Sequence, residues 1–206
     1  MGGMSEPLPP TTRKPSTEAE IQASWVGGAR QHNAPITLVD YDPLWPALYA
    51  REEARIRGIL GDRVLRIEHT GSTSVPGLAA KPVIDITLVI PDTADESAYV
   101  PDLEAAGYRL WIREPDWFEH RTFKGPDTNV NLHVFSRDCV EVERMVGFRD
   151  WLRTHDDDRE LYERTKRELA SKTWQYVQNY ADAKTQVVEA IVARAGAPAS
   201  PYDDAR

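Results

Sequence analysis

The sequence predicts an α+β fold: a small mixed β-sheet with flanking helices, followed by a helical C-terminal part. Short runs rich in Val, Ile and Phe, which are typical of strands, occur between residues 64 and 135. The longest run, residues 82–90 (PVIDITLVI), is almost continuously apolar, which suits a central strand buried on both faces. Beyond Cys139 the apolar residues follow the period of amphipathic helices instead. Elements grouped in this way make an α+β domain.

The first predicted helix covers residues 42–61 (DPLWPALYAREEARIRGILG). Asp42 is its expected N-cap, Pro43 fits the first turn, and Gly61 ends it. The remaining elements follow from the same periodicities, with strands at residues 64–69, 82–90, 108–113, 117–123 and 129–135, and helical segments at residues 94–107, 141–155, 157–172 and 176–195.

These elements divide the chain of 206 residues into five parts. Residues 1–17 and 196–206 are expected to be disordered tails, since they are rich in Pro, Ser, Thr or Ala and poor in large apolar groups. Residues 18–35 form an N-terminal extension, in which Ile21, Trp25 and Val26 could dock as a short helix. The α/β core is expected at residues 36–138 and the helical part at residues 139–195.

Composition excludes several classes of protein. The formal net charge of -8 argues against an extended nucleic-acid surface, which would be basic. Cys139 is the one cysteine, so neither an internal disulfide nor a cysteine-built zinc site can form, and we expect a cytoplasmic protein. No apolar run is long enough to cross a membrane. The oligomeric state is not determined by the sequence.

The main chemical signal is Asp85, which lies in the middle of the apolar strand at residues 82–90. A buried carboxylate needs a partner, which could be a metal ion, a cation such as Lys81, or backbone donors. It could also be a structural residue that holds a loop. A dozen residues earlier, Gly71 allows close backbone approach and Ser72 adds a hydroxyl, so this turn could cradle an anion or be an ordinary turn.

The stretch IEHTGSTSVPGLAAKPVIDI resembles the signature of the GrpB family. The resemblance extends over residues 36–193 and includes ITLVDYDPLWP, NLHVF, FRDWLRTH and the pairs Tyr162/Lys166 and Tyr180/Lys184. The family resembles the DNA polymerase β-type nucleotidyltransferases, whose pattern is a Gly-Ser turn followed by an Asp-apolar-Asp/Glu strand. The resemblance therefore implies a nucleotidyltransferase-like fold in the core, without implying one reaction.

One departure from that pattern concerns the metal site. Two-metal transfer needs several carboxylates, but Thr87 stands in place of the second acid. The third position falls on Asn131 or His133, and neither is acidic. We expect Mg²⁺ to bind Asp85 together with water and substrate phosphates.

The candidate site has two groups of residues, each with an alternative role. Asp85 and His133 are the candidate catalytic residues, with Asp85 also the candidate metal ligand and His133 alternatively a core residue. The candidate nucleotide- or phosphate-binding residues are His69, Gly71, Ser72, Lys81, Arg121 and Lys184. Arg121 could instead pair with Glu119, and His120 is expected to face away from the site.

Several other features are given structural interpretations. Lys166 is expected to stack on Tyr162 at the surface, because the two residues are four apart on a helix. The acidic run at residues 156–158 is expected to begin a helix rather than to bind a metal. The tryptophans expected to pack in the core or between helices are Trp111, Trp117, Trp151 and Trp174.

Three functions fit this pattern. The first is transfer of a nucleotidyl group from a nucleoside triphosphate to an unknown small-molecule acceptor, with Mg²⁺ as cofactor. The second is a non-catalytic module that binds a nucleotide or phosphometabolite, including a coenzyme A-related ligand, because some GrpB-like domains are fused to dephospho-coenzyme A kinase. The third is another ligation or phosphotransfer reaction in the same pocket.

Overall fold

The computed structural model describes residues 14–202, so parts of both predicted tails lie outside the described residues. The strands of this region form one five-stranded mixed sheet in the order β1-β2-β5-β4-β3. The central pair, β2 and β5, is parallel and the other neighbours are antiparallel. The strand bounds are Arg66–Thr70 (β1), Ile84–Ile90 (β2), Arg109–Glu114 (β3), His120–Lys124 (β4) and Val130–Ser136 (β5).

Along the chain, helices lie before, between and after the strands. Short 3-10 turns at Gly61–Arg63 and Glu96–Ala98 lie between helices and strands, and one at Ser72–Ser74 lies between β1 and β2. The helix bounds are Glu18–Ser24 (α1), Trp45–Leu60 (α2), Val100–Ala105 (α3), Val140–Thr154 (α4), Asp156–Ala170 (α5), Val177–Ala183 (α6) and Thr185–Arg194 (α7). No helix of the described residues has the length and apolar character needed to cross a membrane.

The predicted start of α2 is wrong. The N-cap residue of the helix is Leu44 rather than Asp42. The Asp42 carboxylate instead accepts a hydrogen bond of 2.9 Å from the Leu44 amide. The reason is Pro46, which has no N–H to donate to a carbonyl four residues back and therefore belongs in the first turn. The predicted end is confirmed, because Gly61 is the C-cap with a φ of 57°.

The predicted segment at residues 176–195 is two helices rather than one. Helices α6 and α7 meet at Lys184, which ends the first and precedes the second. At the other end of the chain, the predicted docking of residues 18–34 holds for Ile21, which is 1% exposed, whereas Val26 is 43% exposed.

The two faces of the sheet have different chemistry. Ile86, Leu88 and Leu132 point to one face, where α2 and α3 cover them and complete the main apolar core. The opposite face carries two rows of mostly polar side chains, since strand neighbours in register point the same way. One row is Thr70, Asp85, Asn131 and Lys124, and the next is Glu68, Thr87, His133 and Thr122.

The apolar face contains one buried carboxylate. Glu52 of α2 is 0% exposed and accepts hydrogen bonds from the hydroxyls of Tyr108 (2.5 Å) and Thr128 (2.7 Å). Arg55 adds a contact of 3.2 Å. A buried charge in an apolar core requires such partners, so these residues link α2 to the start of β3 and the loop before β5.

We predict that Tyr108→Phe lowers the free energy of unfolding by about 1.5–3 kcal/mol, since it removes a hydrogen bond to a buried carboxylate. Tyr99→Phe is the matched control, because the Tyr99 hydroxyl donates to the uncharged Thr93 carbonyl at 2.9 Å. The control should lose only about 0.5–1.5 kcal/mol. Urea unfolding of both variants measures the difference, and an equal or smaller loss for Tyr108→Phe would contradict this account.

Candidate functional site

The Gly-Ser turn lies directly against the strand aspartate. Gly71 has a φ of 65°, and a Cβ atom at this position would lie 2.3 Å from Oδ2 of Asp85. Only glycine fits this contact, for reasons of both backbone conformation and space. The Thr73 hydroxyl donates to the Val83 carbonyl at 3.1 Å and so ties the turn to the start of β2. The sequence spacing between turn and strand therefore produces a direct contact.

Asp85 is held in place by its neighbours on β5. The side-chain amide of Asn131 donates to Oδ1 of Asp85 at 2.7 Å, and Nε2 of His133 lies 3.7 Å from the same oxygen. Burial acts to raise the pKa of Asp85, but His133, the Asn131 hydrogen bond and the charge of Lys81 outweigh it and hold the pKa below its usual value. The carboxylate is therefore ionised at neutral pH.

A chain of hydrogen bonds orients His133. Glu114 lies 2.7 Å from Nδ1 of His120, and Nε2 of His120 lies 3.0 Å from Nδ1 of His133. Burial lowers the pKa of His120, so its ring is neutral and carries one N–H. If that N–H donates to the Glu114 carboxylate, Nε2 of His120 must accept from Nδ1–H of His133. The remaining nitrogen of His133, Nε2, then faces Asp85.

Four lysines from different elements surround this carboxylate and turn: Lys81, Lys124, Lys166 and Lys184. Lys166 is 2% exposed, and its ammonium donates to the Ser72 hydroxyl at 3.1 Å and to the Ala79 carbonyl. Lys124 donates to the side-chain oxygen of Asn131. These acceptors carry no charge, so they do not neutralise the two lysines.

Burial, with repulsion from neighbouring lysines, lowers the pKa values of three of these lysines. Burial and the charge of Lys184 lower the pKa of Lys166 to about 7. Burial and the charge of Lys81 lower the pKa of Lys124 to about 8. For Lys81, burial lowers the pKa, and the opposing effect of Asp85 does not restore it. The group is thus a compact cationic site that one carboxylate does not balance.

These residues line a cavity of about 970 Å³ on the polar face of the sheet. It brings together most of the candidates from the sequence: Gly71, Ser72, Lys81, Asp85, His133 and Lys184. Three of the four other carboxylates of the lining have partners of their own, and the fourth is Asp116. Glu114 pairs with His120, Glu141 pairs with Arg144, and Glu20 belongs to the cap of α1.

His69 does not line this cavity. Strand alternation points it to the opposite face, where its ring stacks on Tyr49 at 4.8 Å between centroids. Its Nε2 contacts the Thr73 hydroxyl at 3.1 Å, and burial lowers its pKa to about 4. His69 therefore supports the turn from behind as a neutral ring.

The predicted orientations on β4 are wrong. Arg121 points to the apolar face and pairs with Glu96 at 2.6 Å, rather than with the Glu119 carboxylate, although it also donates to the Glu119 carbonyl at 2.8 Å. His120, expected to face away, lies in the cavity against His133. The reason is that β4 begins only at His120, after two residues with positive φ, and its register pairs Thr122 with His133.

The place of Lys166 in the site was not predicted from the sequence. This lysine was expected to stack on Tyr162 at the surface, and its ammonium does lie 4.7 Å from that ring, but both side chains are buried. A signal was available, because the buried positions of α5 are Tyr162, Lys166 and Ala170, which recur every fourth residue. A lysine in the middle of a buried helical stripe needs a partner or a function.

The metal-binding capacity of the site is limited. Thr87, at the second acid position, is 0% exposed, bonds to the Thr70 hydroxyl at 2.8 Å, and is covered by Met145. No group of three or more His, Cys, Asp or Glu residues that could hold a metal occurs among residues 14–202. The residues present therefore do not fit a resident pair of ions. Asp85 alone could contact a single Mg²⁺ ion whose other ligands come from elsewhere.

The acidic run at residues 156–158 forms the first turn of α5, as predicted. Asp158 pairs with Arg194 at 2.6 Å and accepts a hydrogen bond from the Trp151 indole at 2.7 Å. These acids therefore stabilise the helix start and its contact with α7.

Comparison with known proteins gives consistent matches. A sequence model described as GrpB protein matches residues 35–194. A UPF0157 protein of Halalkalibacterium halodurans is 60% identical over 183 residues, which are 89% of this chain and 94% of the relative. A UPF0157 protein of Streptomyces coelicolor is 46% identical over 162 residues, which are 79% of this chain and 85% of the relative.

A protein of Mycolicibacterium paratuberculosis named dephospho-CoA kinase is 32% identical over 160 residues, which are 65% of this chain and 39% of that protein. The crystal structure of conserved protein GrpB from Enterococcus faecalis is similar to this structure with a TM-score of 0.68 and 26% identity. That similarity covers 77% of this chain and 96% of the other, and it agrees with the predicted α+β fold. By sequence and by fold, the chain belongs to the GrpB family.

Proposed function

We propose that the cavity binds a nucleoside triphosphate and that its lysines hold the phosphates. The observation that carries this proposal is the convergence of Lys81, Lys124, Lys166 and Lys184 on one turn and one carboxylate, in a chain of net charge -8. Clustered, partly buried ammonium groups repel one another and lose hydration. A polyanion relieves both costs at once.

The Gly71–Ser72 turn supports the same ligand. Ser72 presents its hydroxyl to Lys166 at 3.1 Å, so one phosphate oxygen could accept from both groups. Hydrogen bonds between ammonium groups and phosphate are charge-assisted and stronger than neutral ones. The absence of a side chain at Gly71 lets Asp85 lie directly against this turn, so the carboxylate and the Ser72 hydroxyl lie close together.

Mg²⁺ would enter this site with the nucleotide and would be held by Asp85, whose ionised carboxylate is the acid nearest the turn. When bound, the ion would neutralise phosphate charge. Asn131 keeps the carboxylate in position through one of its two oxygens. The lysines and the turn bind the phosphates whether or not the ion is present.

A second candidate function is transfer of the nucleotidyl group to a small acceptor, and the orientation of His133 favours it. Nε2 of His133 lies 3.7 Å from Asp85 and faces the cavity, where it could accept the proton of an acceptor hydroxyl. Thr87 and Asn131, in place of acids, favour binding without turnover instead. Release of pyrophosphate from ATP in the presence of a metabolite mixture, lost in His133→Gln, would distinguish the two.

The partial match to proteins named dephospho-CoA kinase makes a coenzyme A-related phosphate ligand a useful comparison. Dephospho-coenzyme A carries an adenosine and a diphosphate, so it offers the lysines fewer charges than a triphosphate. Tighter binding of dephospho-coenzyme A than of ATP in a calorimetric titration would move the proposal to that ligand class.

We predict that Lys166→Met weakens the binding of ATP about 10- to 100-fold, because it removes a charge-assisted hydrogen bond worth about 1.5–3 kcal/mol. Methionine retains the length and apolar contacts of the buried stem. Lys172→Met is the control, since Lys172 pairs with Glu168 at the surface, where its side chain is 53% exposed. Isothermal titration calorimetry gives both affinities, and equal values for the two variants would refute the role of Lys166.

We predict that the affinity for ATP falls as the pH rises from about 7 to 9 and that binding takes up protons at pH 8. Unliganded Lys166 and Lys124 have pKa values of about 7 and about 8, so they are partly or largely neutral at that pH. A bound polyanion stabilises the charged ammonium forms and raises both pKa values, so protons must be gained. Calorimetry at pH 8 in two buffers of different ionisation enthalpy measures this uptake, and no uptake would contradict the arrangement.

We predict that Asp85→Asn abolishes the dependence of ATP binding on Mg²⁺ while strengthening binding in the absence of Mg²⁺. The amide is close in size to the carboxylate, but it neither attracts the ion nor repels phosphate. Asp127→Asn is the control, because Asp127 pairs with Arg55 outside the cavity at 2.9 Å. If Asp85→Asn kept the magnesium dependence of the parent protein, the metal would be held elsewhere.

A further inference from the structure

Four half-buried tryptophan and tyrosine rings line the cavity in addition to the lysines near the turn, and together they are called the aromatic wall. The rings come from the N-terminal extension, from β3 and its following turn, and from the C-terminal end of the described region. They are Trp25, Trp111, Trp117 and Tyr202, all half-buried. Two of them, Trp111 and Trp117, were expected from the sequence to serve only in packing.

Trp25 and Trp111 are in contact with each other within this wall. Their ring centroids are 4.8 Å apart and their planes meet at 56°. The Val26 amide donates to the Trp111 carbonyl at 3.0 Å, so the end of the extension pairs with the edge of β3. The Arg109 guanidinium lies 4.6 Å from the centroid of the Trp111 ring and covers one of its faces. The Trp25 ring is therefore the more available of the two for a ligand.

The segment that carries Trp25 is fixed in place. Ile21 is 1% exposed and anchors α1. The Tyr176 hydroxyl donates to Glu18 at 2.7 Å, and the Ser16 amide donates to Asp182 at 2.8 Å. Because α1 is tied to both β3 and α6, the aromatic wall is preformed rather than assembled on binding.

The extension also lies outside residues 35–194, which the GrpB family model matches. The lysines, the turn and Asp85 all lie inside that range. The cavity therefore combines lysines, a turn and a carboxylate from within the matched region with Trp25, which lies before it.

We propose that Trp25, supported by Trp111, stacks on the base of the bound nucleotide and so forms a base subsite. This inference rests on the proposed function, because it takes the phosphates to be held by the lysines. Nζ of Lys124 lies 5.7 Å from the Trp111 ring centroid, so the two parts of the cavity adjoin. A nucleotide fits this arrangement, because its planar base can stack on an aromatic ring while its phosphates, joined to the base through one sugar, reach the lysines.

The test compares ATP with tripolyphosphate, which carries similar charge but no base, by calorimetry on the full chain. The parent protein should bind ATP more tightly than tripolyphosphate, and Trp25→Leu should weaken ATP binding about 5- to 100-fold, as expected for the loss of one stacked ring. Binding of tripolyphosphate should be unchanged. Trp25→Phe should restore part of the ATP affinity, since phenylalanine keeps an aromatic face.

Trp174→Leu is the control for loss of a tryptophan outside the cavity, and circular dichroism checks the fold of each variant. Equal weakening of ATP and tripolyphosphate by Trp25→Leu would overturn the subsite and leave Trp25 a structural role. Equal affinities of the parent protein for ATP and tripolyphosphate would also overturn the base subsite. If tripolyphosphate does not bind the parent protein, the proposed phosphate site is refuted. The base subsite is then tested with adenosine: binding that Trp25→Leu weakens would support it, and binding that the substitution leaves unchanged would refute it.

Discussion

The contact between the turn and Asp85 is the constraint around which the site is arranged. Gly71 brings backbone against the carboxylate, and Asn131 holds its other oxygen, so neither the turn nor β5 can shift without exposing or crowding a charged group. Arg153 of α4 donates to a carbonyl of the same turn at 2.8 Å. The central strands, the turn and the C-terminal helices are thus positioned relative to one carboxylate.

The cationic cavity is a source of instability that a ligand can remove. Burying Lys166 without a carboxylate partner costs free energy, which the depressed pKa of its ammonium group expresses. Proteins tolerate such groups where ligand binding offsets this free-energy cost, since a ligand that binds only the folded state stabilises that state. The arrangement is easier to explain as an anion site than as a contribution to folding.

Stability and chemistry occupy opposite faces of one sheet. The face covered by α2 and α3 is largely apolar. His69 and Arg121 also lie on it, and its buried carboxylate, Glu52, is satisfied by hydrogen bonds. The opposite face carries the polar rows, and the helices that follow β5 close over it. Because a strand directs alternate residues to opposite faces, β2 supplies both the core and Asp85 without a conflict between them.

The sequence by itself determined most of the elements and the pairing of a Gly-Ser turn with Asp85, because turn chemistry and apolar periodicity are local properties. It did not determine which side of β4 faces the site. Whether His120 or Arg121 points into the cavity depends on the register of β4 with β5, a strand that follows it in the chain. Nor did the sequence determine the burial of Lys166 or the place of Trp25 in the cavity wall. Both depend on contacts between segments far apart in the chain, and only the tertiary structure decides how such segments pack.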